Sequence, residues 1–565
     1  MPAWRPAAFT IMKYKASPAA WICTLWCMTA SLFAQSYEDS QMWTAINNAD
    51  ARSLRMILPL ANVENRNSAG QTPLMAAAAK GSFECVRELL WAGANPAATD
   101  SQNKTARNYL KPGTRGYVPL ELILRCYTQV KKVGNRQGRA GVRHRVIVND
   151  SYVDHTNPRL RERYFVNTRE LNGRNGKDDD GNGFVDDVYG WNVTDDAPMR
   201  VPGLLGAEGT VSKAWLESLM ADYEAIQSEA PGWEDTKEAL EERYENPLYQ
   251  QIGAGLASRS GYDLDDWSYA ELLVSASHGT HVAGIVLTAS SGTAELHAMT
   301  MGKFRETAKG EEAGLNRILK NCQQLAPKSP TYTDFVARLR AGLLEDAVKA
   351  GKRLSAYLKS TQAGVVNMSW GVNLKALRQV ASVIHDVYKE HGANPSSIAS
   401  FSCPIGMDLC DDMALELLVA DAASLALAMF ENPDVLFVMA AGNSRENNDK
   451  ILPSPAYLSR FFPNAITVAS VDRYNRLSDF SNYGARSVQI AAAGEQILSD
   501  VLGGVKCRMD GTSMASPKVA GSAAAVRARF PSLSAADVRR ILLASAQTDS
   551  DLQGSVSTSG VVDVA

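Results

Sequence analysis

His278-Gly-Thr-His281-Val-Ala-Gly284 and Gly511-Thr-Ser513-Met-Ala-Ser-Pro-Lys-Val-Ala-Gly521 decide how this chain reads. Each sets a side chain suited to proton transfer or nucleophilic attack at the head of a run of small residues. Such a run predicts a closely packed helix starting at that side chain. A serine is a weak nucleophile until a base removes its proton. The two motifs are therefore expected to meet in space, although 235 positions separate His278 from Ser513.

A carboxylate that orients the imidazole is the third requirement. Upstream, Val146-Ile-Val-Asn149-Asp150-Ser151-Tyr152-Val153-Asp154 sets two acids, Asp150 and Asp154, after an apolar strand. Taken together, the three stretches resemble the aspartate, histidine and serine motifs of the subtilisin-like serine proteases, the subtilases, in the chain order Asp, His, Ser. The resemblance runs over roughly residues 141–565, with insertions, and implies a secreted serine endopeptidase working through an acyl-enzyme. On it, Asp150 orients, His278 acts as base and then acid, His281 is structural, and Ser513 is the nucleophile. Asp154 is the alternative orienter, and Thr512 and Ser516 are the alternatives to Ser513. Tyr152 departs from the glycine usual in the family, so either the turn differs or the ring lies over the cleft.

Two further segments carry the resemblance. Val438-Met-Ala-Ala-Gly442-Asn443-Ser444 is similar to the family strand ending in an oxyanion-binding asparagine. This implies Asn443 and the Ser513 backbone N–H as donors. Asn367-Met-Ser369-Trp370-Gly371 resembles the segment that pairs with substrate backbone. Ser369, Trp370 and Gly371 would form one wall of the primary pocket and Ala440, Ala441 and Gly442 the other, leaving room for a large apolar side chain.

Val146–Val148, Gly364–Val366, Val435–Val438 and Ala465–Val468 read as buried strands, and Phe335–Tyr357 and Leu374–His391 as helices. Their alternation predicts an α/β fold, a parallel sheet flanked by helices on both faces. A small all-α domain precedes it. Gly70-Gln-Thr-Pro73-Leu-Met-Ala-Ala-Ala-Ala-Lys-Gly81, with Leu89-Leu90 and Gly93-Ala-Asn, recurs weakly 32–33 residues earlier and begins again at Lys104. The period and framework resemble ankyrin repeats, with either a protein partner, a shielding role toward the peptidase or a purely structural role.

In Asn175-Gly-Lys-Asp178-Asp-Asp180-Gly-Asn182-Gly183-Phe184-Val-Asp186-Asp187, oxygen ligands recur at alternate positions around glycine turns, which suits a hard cation such as Ca²⁺. The candidate ligands are Asp178, Asp180, Asn182, Phe184 through its carbonyl, Asp186 and Asp187, in a structural role. The other reading is a solvated acidic turn.

Apolar residues make up 45% and charged residues 21% of the chain, with a formal net charge of −3. These are globular values and give no support to a nucleic-acid partner. Lys13 and Lys15 precede the apolar run Ala19–Ala34, which is short for a membrane span and ends in small residues. It reads as a signal peptide over 1–34, with a retained anchor as the alternative. No later segment suggests a membrane helix. The organisation expected is then an ankyrin-like domain over 35–111, an exposed basic connector over 112–140, and the peptidase-like domain over 141–565. Insertions at about 195–275, 303–335 and 392–430 should decorate its surface. Six cysteines remain after the leader, of which Cys403 and Cys410 form the nearest local pair. The competing functional reading is a catalytically impaired scaffold that binds proteins through its ankyrin-like repeats.

Overall fold

A computed structural model describes residues 37–111, 117–133, 142–193, 196–199, 217, 221, 267–300, 318–372, 374–400 and 409–562. The chain divides into two compact units, Met1–Leu124 and Arg125–Ala565. The leader, Cys403 of the expected local pair and most of the first insertion lie outside the described residues. Cys85, Cys126, Cys322 and Cys507 are buried.

In the first unit, helix α1 (37–47) is followed by α2 (Ala51–Ile57), α3 (Pro73–Lys80) and α4 (Phe83–Trp91). Thr72 caps α3 and Pro73 supplies its preset first turn. Gly81, at φ 71°, ends α3 in the left-handed region, and Ser82 caps α4. The buried Glu88 of α4 is held by Arg55 and Arg87. The third copy shrinks to a single turn of 3₁₀ helix, Ala106–Tyr109.

The connector departs from expectation. Its basic residues suggested an exposed linker, yet Tyr117–Val133 forms a helix, α5, and the boundary between the units falls inside it. Leu120, Leu122, Ile123, Leu124, Cys126, Tyr127 and Val130 are buried. Lys131 and Lys132 fall in its last turn, where they complement the helix dipole. Its last turns belong to the second unit: Arg125 pairs with Glu416, and Tyr127 stacks on Phe462.

The second unit is built on a ten-stranded sheet. Its members are β1 (Val142–Asp150), β2 (Gly190–Asn192), β3 (Ala197–Pro198), β4 (Glu295–Thr300), β5 (Ala363–Met368), β6 (Leu436–Ala440), β7 (Ala465–Val471) and β8 (Ile490–Ala493), with β11 (Gln547–Thr548) and β12 (Gly560–Val561). The order is β11-β12-β8-β7-β6-β5-β1-β4-β2-β3. Only the outermost pairs, β11–β12 and β2–β3, are antiparallel. All four expected strands lie in it. A hairpin of β9 (Ile497–Asp500) and β10 (Lys506–Met509) stands apart.

Two helices cover one face: α6 (Trp267–Ala289) carries His278 and α10 (Thr512–Arg529) carries Ser513. The main core lies between them and the sheet, with Val146, Val148, Val365, Val438, Ile466, Val282, Val286, Val519 and Ala523 among its members. The small residues of α6 and α10 permit a close crossing. A Cβ at Gly521 would stand 2.6 Å from the Val286 carbonyl.

The later insertions do not merely decorate the surface. Helices α7 (Tyr332–Thr361), α8 (Leu374–His391) and α9 (Leu409–Glu431) pack together with residues 318–328 around a second core that includes Tyr332, Phe335, Ile384, Tyr388, Met413 and Leu417. Met413–Glu431 is also long and apolar enough to cross a membrane, which the sequence reading did not anticipate. It lies mostly buried within this unit, as a core helix does.

Candidate active site

His278 and Asp150 meet where α6 crosses the C-terminal end of β1. His278 Nδ1 lies 2.7 Å from Asp150 Oδ1, which also accepts from the Ser151 backbone N–H at 2.7 Å. His278 lies inside α6 rather than at its start, because the helix begins at Trp267. Burial acts to lower the His278 pKa, but the Asp150 charge and hydrogen bond outweigh it, so the imidazole titrates above its ordinary range. Its side chain keeps 27% exposure, enough for a reacting group to reach it.

Tyr152 does not cover the cleft. It is buried in the main core, with its hydroxyl 3.3 Å from His155 Nδ1. Its backbone takes the close approach instead, since a Cβ at Gly279 would lie 2.6 Å from the Tyr152 carbonyl. Asp154 is not the orienter, because it is buried in its own turn, accepting from the Thr156 N–H and hydroxyl. His281 is fully buried, bonded to the Cys507 carbonyl, and held down to about 4 chiefly by burial. It stays neutral and packs.

Ser513 follows the N-cap Gly511 and Thr512 in the first turn of α10. Its Oγ donates to the Ser369 carbonyl at 3.0 Å; among the described residues no hydrogen bond joins it to His278. Thr512 and Ser516 are both engaged elsewhere. The Thr512 N–H and hydroxyl both donate to Asn443 Oδ1, at 2.9 and 2.8 Å. That fixes which end of the Asn443 amide is committed and leaves its Nδ2 as the outward donor. A Cβ at Gly511 would lie 3.4 Å from Asn443 Nδ2 and 3.5 Å from the Ser513 N–H nitrogen. The two donors thus border one small space. Asn443 itself is exposed.

Ser369 is tied to the helix of Ser513 twice more. Its hydroxyl donates to the Ser513 carbonyl at 3.0 Å and lies 2.9 Å from Ser516 Oγ. Pro517 explains the first bond, for it has no N–H to offer the carbonyl four residues back. Trp370 is half-buried and Gly371 exposed. Across from them Ala440 and Ala441 are buried and Gly442 half-buried, at φ 106°.

The acidic loop is assembled differently from its sequence spacing. The carboxylates of Asp178 and Asp180 are joined by Glu170, which precedes the acidic run on a short helical turn, and one oxygen from each lies within 4.8 Å of the others. Asp186 is turned aside: at φ 55°, it accepts from the Gly176 N–H. The Asn182 oxygen is taken by the Phe184 N–H, and its amide nitrogen faces Asp180 and Asp187. Phe184 enters as a buried ring against Trp191 and Tyr357. Burial pushes the Asp187 carboxyl up to about 7, with Asp180 and Glu170 adding to it against the opposing Asn167 and Asn182 amides. Three grouped carboxylates form an all-oxygen set that fits a hard cation, and Glu170, Asp178 and Asp180 are the residues that would hold it.

The profile of the subtilase family matches residues 144–561, and that of the ankyrin repeat matches residues 69–101. Proteinase R of Parengyodontium album is 39% identical over 123 residues, 22% of this chain and 30% of that protein. A thermophilic serine proteinase of Bacillus sp. (strain AK1) is 44% identical over 93 residues, 16% of this chain and 21% of that protein. The chain thus spans under a third of the length of either relative. The crystal structure of a cold adapted subtilisin-like serine proteinase aligns with 51% of this chain and 72% of its own, at 22% identity and a TM-score of 0.27, too loose a likeness to add weight.

The His278 titration tests the electrostatics directly. In Asp150→Asn the opposing charge is gone and burial remains, so the imidazole should titrate below the ordinary range rather than above it. Proton NMR of the imidazole across pH reads both midpoints. Equal midpoints in the two proteins would show that Asp150 is not the dominant partner.

Proposed function

The chain belongs to the subtilase family, and from that premise we propose that it is a secreted serine endopeptidase acting through an acyl-enzyme. The reading is carried by the 2.7 Å bond from His278 to Asp150, supported by the space that Asn443 Nδ2 and the Ser513 N–H both border. Ser513 Oγ turns from the Ser369 carbonyl, passes its proton to His278 and attacks the scissile carbonyl carbon. Asp150 stabilises the imidazolium. The oxygen that gains the negative charge lies between Asn443 Nδ2 and the Ser513 N–H. As the C–N bond breaks, His278 returns the proton to the leaving amine. Water then repeats the sequence on the ester and frees Ser513. Substrate lies extended along Ser369–Gly371, and the pocket between that segment and Ala440–Gly442 accepts a large apolar side chain.

The base must be neutral, so kcat/KM should rise with pH through the His278 midpoint, above the ordinary imidazole range. Ser513→Ala should lower kcat by at least about 10⁴-fold and abolish labelling by an active-site phosphonate. Asn443→Leu should lower kcat by roughly 10²- to 10³-fold while labelling persists more slowly. A Ser513→Ala protein with full activity would overturn the assignment, and so would an unlabelled wild type.

Subtilases generally bind calcium, and we assign a structural Ca²⁺ to Glu170, Asp178 and Asp180. When bound it offsets their mutual repulsion. Thermal unfolding with and without a chelator should show a calcium-dependent rise in midpoint that Glu170→Gln and Asp180→Asn both remove. No shift on calcium addition would leave the loop a solvated turn.

Export rests on the Ala19–Ala34 segment and its basic lead. The ankyrin repeat suggests protein interaction, and we assign the first unit to shielding the peptidase or to a partner. N-terminal sequencing of exported protein should find Gln35 first, and of the active form a residue between the end of α5 and the start of β1. An active enzyme that keeps residue 40 onward would refute the second step.

A further inference from the structure

The residues assigned to catalysis share one face of the sheet, while a hydrogen bond on the other face joins the strands that carry them. Side chains alternate along a strand. On β1, Val146 and Val148 enter the core beneath α6 and α10, so Asp150 projects with them and Asn149 projects the other way. On β5, Val365 enters the same core, and Asn367 and Ser369 follow it, joined at 2.9 Å. Trp370 therefore falls on the face of Asn149. There its Nε1 donates to Asn149 Oδ1 at 2.6 Å. Asn149 is fully buried, and its Nδ2 donates to the Met299 carbonyl of β4 at 3.3 Å.

Backbone pairing of β1 with β5 stops at Asn149 and Met368. The next residues part: Asp150 goes to His278, and Ser369 goes to Ser513 and Ser516. The indole–amide bond ties the two strands just past their last rung. An indole nitrogen can only donate, and a buried amide oxygen is costly to leave unpaired, so the pair holds one arrangement.

We propose that Asn149 and Trp370 are positioning residues whose hydrogen bond registers β1, which ends in the orienter Asp150, against the segment after β5 that bonds Ser513 and receives substrate. The proposal rests on the peptidase reading above. Asp150 bonds His278 and the Ser369 carbonyl accepts from Ser513 Oγ, and small errors in spacing between base and nucleophile are expensive in rate. A peptide laid along Ser369–Gly371 then docks on a segment already aligned with Asp150.

Trp370→Phe keeps a ring and removes the donor, while Asn149→Leu removes the acceptor. In Trp370→Phe, kcat should fall about tenfold with KM nearly unchanged, the signature of an interaction that acts on the reacting geometry. The double variant should lose no more than the worse single variant, since the same bond is lost only once. By proton NMR, His278 should titrate at lower pH in Trp370→Phe than in wild type, because Asp150 is less firmly held. Unchanged kcat with unchanged titration, a rise in KM alone, or additive losses in the double variant would each overturn the proposal. If Asn149→Leu does not fold, Trp370→Phe carries the test alone. A wild type that neither cleaves peptides nor takes up phosphonate defeats the peptidase reading instead. The His278 titration still decides whether the bond acts on Asp150.

Discussion

The distance between α6 and the loop after β1 is set by an atom that residue 279 lacks. A Cβ there would lie 2.6 Å from the Tyr152 carbonyl and 3.2 Å from Asp150 Cβ. Any side chain would lift the helix, and the 2.7 Å bond between His278 and Asp150 would be lost with the approach. Gly521 plays the same part between α10 and α6. A glycine inside a helix costs about 1 kcal/mol relative to alanine. The cost is offset by bringing three separate elements close enough for their side chains to meet.

A second missing group shapes the other half of the site. Pro517 has no N–H, so the Ser513 carbonyl is free to accept from the Ser369 hydroxyl. The Ser369 carbonyl in turn accepts from Ser513 Oγ. This reciprocal pair holds Ser513 on the Ser369–Gly371 segment. A serine hydroxyl needs only a χ1 rotation to leave such a bond, and bonds between reacting groups often tighten only once substrate arrives. The alternatives to Ser513 are committed to this scaffold: Ser516 lies beside Ser369, and Thr512 orients Asn443.

Features confined to a short stretch were legible in the sequence. Gly511-Thr-Ser513 opening a small-residue helix, and the Val/Ile/Ala runs of β1, β5, β6 and β7, carry their conformation locally. Features that depend on partners far along the chain were not. The bond between Asn149 and Trp370 spans 221 positions. Glu170 lies ahead of the acidic run on its own short helix and joins Asp178 only through the turn between them. In α5, flanking glycines and basic residues obscured an apolar helical face over Leu120–Val130. Helices α7 and α8 were legible from their periodicity, but the second core they form with α9 was not, because each buries its apolar side against the others. Tyr152 misled for a related reason: only the surrounding core shows that its ring turns inward while its carbonyl meets α6.

The acidic loop is joined to the substrate-binding segment by a continuous structural path. Arg353 of α7 donates to the Gly183 carbonyl at 2.8 Å, and its guanidinium lies over the Phe184 ring at 3.9 Å. One side of the loop is thus anchored to a fixed positive charge, while the carboxylates of Glu170, Asp178 and Asp180 remain grouped with one another. Helix α7 ends at Thr361, and a single left-handed residue, Gln362 at φ 56°, turns it into β5. Five positions past its first residue, β5 reaches Met368 and then Ser369. Tyr357, one turn before the end of α7, packs on Phe184 and bonds His297 of β4. The packing of the acidic loop and the course of β5 thus share one helix, α7.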